Sequence, residues 1–242
     1  MTLAGLRVLV TRAAEDAPEL EALLRERGAA PVRMPCIAFE DGPDIARIVA
    51  KVRSGHADLI VVSSPHGARR LLALCGPIRA PMAAVGAATA HELPGDVLVP
   101  RQGVGAEALV RELGARVAGK RVLLPRAEEG NPALADGLRA AGARVEQLVL
   151  YRTVTAPQAE PAALRALGEG EIDAIAFASG SAARGFVALA GARAAGRAAV
   201  ACMGRRCAED ARGAGLRVDA VADGGLSELC EAVALAVRVR KR

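Results

Sequence analysis

Two stretches decide the fold: Gly5-Leu-Arg-Val-Leu-Val-Thr-Arg-Ala13 and, further along the chain, Gly119-Lys-Arg-Val-Leu-Leu-Pro-Arg-Ala127. At an offset of 114 residues, Gly5 to Ala29 lies on Gly119 to Ala143 without a gap and agrees at about half the positions, the mark of an internal repeat. The shared residues include Glu15/Glu129, Pro18/Pro132, Leu20/Leu134, Leu24/Leu138, Arg25/Arg139 and Gly28/Gly142. A second block sits one residue further out of step. Asp58-Leu59-Ile60 through Ser64, Ala68-Arg69 and Ala73-Leu74 match Asp173-Ala174-Ile175 through Ser179, Ala183-Arg184 and Ala188-Leu189. A third, weaker block pairs Val85-Gly86 and Ala90 with Met203-Gly204 and Ala208. Blocks recurring in the same order argue for two copies of one architecture.

Each copy alternates short apolar runs with amphipathic stretches, the pattern of a parallel sheet covered by helices. The expected fold class is therefore α/β, in two similar lobes. Leu6 to Val10 reads as a buried strand. A helix follows with Pro18 near its start, Leu20, Leu23 and Leu24 at helical spacing, and Gly28 as its stop. Val32 to Phe39, preceded by Pro31 and broken by Pro35, suits a connector or edge strand. Leu59 to Val62 is predicted to be a strand, Ser63 to Gly67 a turn, and Ala68 to Leu74 a helix. Ala83 to Val85 is a strand, turning at Gly86 into a helix over Thr89 to Leu93. The second copy repeats this with strands near Val122 to Leu124, Ile175 to Phe177 and Ala199 to Cys202.

Composition narrows the function. With 242 residues, 52% hydrophobic and 24% charged, the chain is an ordinary globular protein of one or two domains. No apolar run approaches the roughly 18 residues that span a bilayer. The run Val8 to Val10 is too short for a signal-peptide core, so a cytoplasmic protein is expected, with no membrane partner. The balance of 32 basic to 27 acidic side chains, net +5, favours an anionic partner. Nucleic acid is not expected, because no Trp, one Tyr and three Phe leave almost nothing on which bases could stack. A small polyanion fits the charge. Five cysteines without CxxC spacing encode neither a disulfide framework nor a zinc site. His56, His66 and His91 share no ligand spacing, so neither a metal nor a Ser-His-Asp triad is expected. Neither GxGxxG after a strand nor GxxxxGK[ST] occurs, so nucleotide cofactors have no motif support. Gly224-Gly225 reads as a turn, and the basic end Val237 to Arg242 as a solvated, frayed tail.

In parallel α/β sheets, ligands sit beyond the carboxyl ends of the strands, where free N–H groups at helix starts attract anions. That places candidate loops at Thr11-Arg12-Ala13, Ser63 to Gly67, Gly86 to Thr89, Pro125-Arg126-Ala127, Ser179-Gly180-Ser181 and Gly204 to Cys207. Small or hydroxyl-bearing residues let amides approach an anion, and the arginines suit carboxylates or phosphates. The candidate binding residues are Thr11, Arg12, Ser63, Ser64, His66, Gly86, Arg126, Ser179, Gly180, Ser181 and Gly204. A plainer reading stands beside each: Ser64 and Ser179 as helix N-caps, Arg12 and Arg126 as solvated surface arginines, His66 as a loop histidine. Tyr151, the only tyrosine, lies in Val149-Leu150-Tyr151-Arg152-Thr153; its plain reading is a strand residue with its hydroxyl at the surface.

Taken in order, Gly5 to Arg12, Asp58 to Ser64, Ala84-Val85-Gly86, Arg121 to Arg126, Val149 to Thr153 and Ala176 to Ser179 resemble the uroporphyrinogen-III synthase family across nearly the whole chain. The resemblance implies two α/β lobes joined by a two-stranded connector, one from residues 1–37 plus 155–242 and the other from 38–154. It implies a carbon-oxygen lyase that closes hydroxymethylbilane, a linear tetrapyrrole with eight carboxylates, to uroporphyrinogen III with loss of water and inversion of ring D. No cofactor is implied, and a monomer is expected. Loss of the terminal hydroxyl leaves an azafulvenium electrophile, ring D attacks through its substituted carbon, and a spiro intermediate fragments and recloses. Holding a folded conformer is the main task, and a tyrosine matching Tyr151 is the favoured aid to hydroxyl departure. The chain departs from the family at Ala178-Ser179-Gly180, where Thr-Ser-Pro is common, and at Gly204-Arg205-Arg206-Cys207, where Gly-Pro then Thr is common. A second reading stays open: a non-catalytic two-lobed cytoplasmic sensor of a small polyanion.

Overall fold

The structure, a computed structural model, describes residues 2–103 and 105–240. The chain begins with β1 (Arg7–Val10), α1 (Ala17–Glu26), β2 (Ala30–Arg33) and β3 (Ile37–Asp41). It continues through α2 (Ile45–Arg53), β4 (Leu59–Val62), α3 (Pro65–Cys75), β5 (Met82–Ala84), α4 (Ala87–His91), β6 (Val97–Leu98) and α5 (Ala106–Leu113). Next come β7 (Arg121–Ala127), α6 (Ala133–Ala140), β8 (Arg144–Thr155), α7 (Pro161–Gly168) and β9 (Ala174–Phe177). The last elements are α8 (Gly180–Ala190), β10 (Ala199–Met203), α9 (Gly204–Gly213), β11 (Ala220–Ala222) and α10 (Leu226–Arg240).

These elements form two compact units, one holding the chain up to Phe39 and again from Val154, the other Glu40–Thr153. The first is built on a five-stranded sheet of order β11-β10-β9-β1-β2, the second on a six-stranded sheet of order β3-β8-β7-β4-β5-β6. The repeat maps one onto the other: β1 on β7, β2 on β8, β9 on β4, β10 on β5 and β11 on β6, so the strand orders coincide. The correspondence reaches single hydrogen bonds. The Arg7 amide donates to Asp173 Oδ2 and the Arg121 amide to Asp58 Oδ2, both at 2.8 Å. Gly28 (φ +85°) and Gly142 (φ +87°) adopt the left-handed turn that ends α1 and α6.

Burial explains the strands. β4 and β9 are buried at every position, as strands covered on both faces must be. In the first unit Val8 and Val10 face α1 and α10, where Leu20 and Leu24 are fully buried, while Leu9 faces Phe177, Phe186 and the helices of the other side. Each such leucine contributes about 1.5–3 kcal/mol. In the second unit Val61, Val122 and Leu124 pack on Leu109 and Leu113 of α5 and Leu134 and Leu138 of α6.

The run Val32 to Phe39, expected as one connector or edge strand, is split around Pro35 between the end of β2, which holds Pro31, and β3, and each strand lies at the edge of a different sheet. β3 runs antiparallel to β8: the Gly42 amide donates to Leu150 and that of Ala156 to Cys36, so residue numbers fall on one strand as they rise on the other. One expectation is overturned. Val237 to Arg240 is not a frayed tail but the last turn of α10, with Val237 in the core and Arg240 donating to the Gly196 carbonyl at 2.7 Å. One apolar face of this helix, Leu229, Val233, Ala236 and Val237, is buried, which holds the basic end in place. Lys241 and Arg242 lie outside the described residues.

Candidate functional site

In the Glu40–Thr153 unit, β4 ends at Val62 and the extended residue Ser64 (φ −155°, ψ 150°) closes α3 behind it. Its Oγ accepts the Gly67 N–H at 3.0 Å, and Pro65 occupies the first helical position, where no N–H is needed. The expected cap is therefore present, and Ser64 does more than cap: its Oγ lies 3.0 Å from the Tyr151 hydroxyl.

Tyr151 reaches that point through an irregularity in β8. Arg126 of β7 pairs with Val149 but Ala127 pairs with Tyr151, so Leu150 is an extra residue at that step. A bulge of this kind re-aims the side chain beyond it. The tyrosine is buried rather than displayed at the surface, with 7% of it exposed. The His66 ring stands edge-on to it at 4.6 Å between centroids and 70° between planes. Gly67 leaves space beneath, since a Cβ there would fall 3.6 Å from Tyr151 Cε1 and 2.9 Å from Ser64 Oγ.

Beside this pair opens a cleft of about 320 Å³ lined by Ser63, Ser64, Val85, Gly105, Arg126, Asn131 and Tyr151 among others. Arg126 is held by neutral oxygens: Nε donates to the Ala127 carbonyl at 2.8 Å, Nη1 to Gln147 Oε1 at 2.9 Å, and Nη2 to the Glu128 carbonyl. Those partners orient the guanidinium without cancelling its charge, which suits capture of an anion. Gly86 caps α4 next to the lining residue Val85. A larger cleft, about 390 Å³, lies at the starts of β7 and β8 around Lys51, His56, Arg121 and Arg144. It is at the wrong end of the strands to be served by helix starts.

In the other unit Thr11 is fully buried and donates to the Ala176 carbonyl at 2.9 Å, tying β1 to β9. Arg12 pairs with Glu19 at 3.1 Å and Asp16 at 3.9 Å. Ser179 caps α8, accepting the Ala182 N–H at 3.2 Å. Gly180 lies against Asp210, whose Oδ2 would be 1.8 Å from an added Cβ. Arg184 joins that carboxylate at 2.9 Å and donates to Ser181 Oγ at 3.3 Å. Gly204 opens α9 with φ +78° and open space where a Cβ would be. Below that turn Cys207 Sγ donates to the Phe177 carbonyl at 3.4 Å; the neighbouring Cys207 and burial push the Cys202 thiol up, while Cys202 pulls Cys207 below its ordinary value. At the repeat offset, the counterpart of Tyr151 is Ile37, so the two units are alike in scaffold and unlike in chemistry.

The strand-end rule finds Ser63, Ser64 and Arg126 at one cleft. Gly105 and Asn131 line it too and were not predicted, although Gly130-Asn131-Pro132 carries a turn signature that places it beside a strand end. Among the described residues no three of His, Cys, Asp and Glu are grouped to hold a metal ion, and no helix is long and apolar enough to cross a membrane.

Comparison with known proteins agrees with the residues quoted above. The family model described as uroporphyrinogen-III synthase HemD matches residues 18–224. A uroporphyrinogen-III synthase of Synechococcus elongatus is 30% identical over 202 residues, covering 77% of this chain and 75% of that protein. A chloroplastic uroporphyrinogen-III synthase of Oryza sativa is 28% identical over 224 residues, covering 87% and 73%. Among solved structures, the uroporphyrinogen-III synthetase of Helicobacter pylori has the same fold, with a TM-score of 0.63, 18% identity and coverage of 98% of this chain and 100% of that one. A mutant uroporphyrinogen III synthase from Thermus thermophilus gives a TM-score of 0.55 at 22% identity, covering 97% and 99%. With the family match spanning most of its length, the chain belongs to the uroporphyrinogen-III synthase family.

Proposed function

We propose that this protein closes hydroxymethylbilane to uroporphyrinogen III, with loss of water and inversion of ring D, and that Tyr151 assists the departing hydroxyl. Membership of the family supplies the reaction. The observation that carries the assignment of Tyr151 is its hydroxyl, 3.0 Å from Ser64 Oγ, on the rim of a cleft that Arg126 charges positively.

The bilane is reactive on its own, and without guidance it closes to the uninverted isomer. The protein therefore needs to favour one folded conformer and to stabilise charge as the carbon–oxygen bond breaks. A phenol at the cleft rim can donate its proton to the leaving hydroxyl, so that water departs instead of hydroxide. Arg126, held by carbonyl and amide oxygens, anchors a substrate carboxylate beside it. Ser63, His66 and Gly86 extend the same strand-end rim. In the other unit Ser179, Gly180, Ser181 and Gly204 stand at the equivalent strand ends and are our proposed contacts for further carboxylates. Thr11 and Arg12 spend their side chains within that unit, so their proposed contribution is through backbone amides.

We also propose a monomeric, cytoplasmic enzyme. Leu235 and Val239, both on α10, are the large apolar side chains exposed among the described residues, too little surface for a stable partner. The five thiols are free and buried, which suits a reducing compartment. The test is to supply freshly made hydroxymethylbilane and separate the product isomers. A type III excess over the buffer reaction is expected; an isomer ratio equal to buffer would favour a polyanion sensor instead.

A further inference from the structure

We infer that Ser64 is a positioning residue for Tyr151: the start of α3 polarises its hydroxyl, which donates to the phenol oxygen and so turns the phenolic proton away from Ser64. The inference rests on the role of Tyr151 proposed above.

A serine hydroxyl has one proton and two lone pairs. At Ser64 one lone pair is taken by the Gly67 N–H at 3.0 Å, a bond whose direction is fixed because an amide can only donate. That leaves the Ser64 proton and one lone pair for the Tyr151 hydroxyl, also at 3.0 Å. If the phenol donated, its proton would be held inside the protein and Ser64 would accept twice. If Ser64 donates, N–H to O–H to O–H runs in one direction and each bond strengthens the next. The run starts at the positive end of the helix Pro65–Cys75, which favours the same sense. It also stabilises negative charge on the phenol oxygen as the proton leaves.

Two neighbours keep the relay aligned. The His66 ring, edge-on at 4.6 Å, limits the swing of the phenol. Gly67 has no side chain where a Cβ would press on Ser64 Oγ at 2.9 Å. His66 touches the ring and Arg126 shares its cleft, and both are retained in the variants below. The other unit has the same cap at Ser179 but Ile37 at the position of the tyrosine, so the relay is confined to one copy.

The chain has one tyrosine and no tryptophan, so tyrosine spectra report a single residue. Ser64→Gly deletes the hydroxyl while keeping a residue that tolerates the cap position, and Ser64→Thr keeps a hydroxyl. At neutral pH the Raman Fermi doublet of the tyrosine should show an acceptor-type phenol in the wild type and in Ser64→Thr, lost in Ser64→Gly. The ultraviolet titration midpoint of the tyrosine should move up by about 1 pH unit in Ser64→Gly and return in Ser64→Thr. Turnover should fall about 10-fold in Ser64→Gly with KM little changed, and Ser64→Thr should restore it. A donor-type doublet in the wild type, or a midpoint that stays or falls in Ser64→Gly, overturns the inference. Full turnover in Tyr151→Phe would instead remove the role of the tyrosine, while the spectra still decide which hydroxyl donates.

Discussion

Ser64 and Ser179 stand at the same point of two copies of one fold, each with φ −155° and each closing the first turn of a helix with its hydroxyl, yet only Ser64 is joined to a tyrosine. The shared part of their work predicts a shared cost. Ser64→Ala and Ser179→Ala should each lower stability by about 1 kcal/mol in urea denaturation. A loss confined to one variant would show that the two caps are not equivalent.

Arg126 makes a different prediction, because the oxygens that hold it are neutral and its proposed role is to anchor a substrate carboxylate. Arg126→Ala should raise KM by about 10- to 100-fold, the worth of a charge-assisted hydrogen bond, with a smaller change in kcat. Steady-state kinetics at fixed salt measures the split. An unchanged KM would return Arg126 to the solvated surface.

Close packing at the β3–β8 crossing can be tested at a glycine. A Cβ on Gly42 would lie 2.1 Å from the Val149 carbonyl oxygen, which belongs to the backbone and cannot swing away. Gly42→Ala should cost about 1–3 kcal/mol. Gly168, at the end of α7, has nothing within 4 Å of an added Cβ, and Gly168→Ala should stabilise by about 0.4–1 kcal/mol. Melting temperatures moving in the same direction would contradict this contrast.

The Asp58 carboxylate takes two bonds from the Arg121 side chain, at 2.8 and 3.1 Å, and one from its amide at 2.8 Å. These hold its pKa well below the usual carboxylate range. A group depressed in the folded state stabilises the protein above its unfolded value, near about 4, and that contribution is lost as pH falls toward the folded value. Asp58→Asn should therefore lower the melting temperature at neutral pH and flatten its decline between about pH 5 and pH 3. An acid limb as steep as that of the wild type would show that Asp58 does not contribute to it.

The repeat made the scaffold readable. Leu59-Ile60-Val61-Val62 is an unbroken apolar run, and β4 has those bounds; the helix after it starts earlier than its apolar pattern because Ser64 and Pro65 set the first turn. α10 is not among the elements predicted from the sequence, and its end reads as a tail because Val237-Arg238-Val239-Arg240 alternates apolar and basic residues, whereas burial of Val233, Ala236 and Val237 on one face keeps the helix intact. Tyr151 was legible as a rare residue at a strand, but its partner was not. The bond to Ser64 depends on the extra residue at Leu150 and on where α3 begins, and both arise from how β7, β8 and α3 meet.

In the proposed reaction a single phenol, placed by a strand irregularity and a helix start, assists hydroxyl departure on a scaffold whose other copy lacks it. The most direct measurement is the initial rate of type III product formation by Tyr151→Phe, alongside binding of uroporphyrinogen III to the same protein. The rate should fall about 10²-fold with product binding retained. A variant that forms the type III isomer at the wild-type rate would contradict the role of Tyr151.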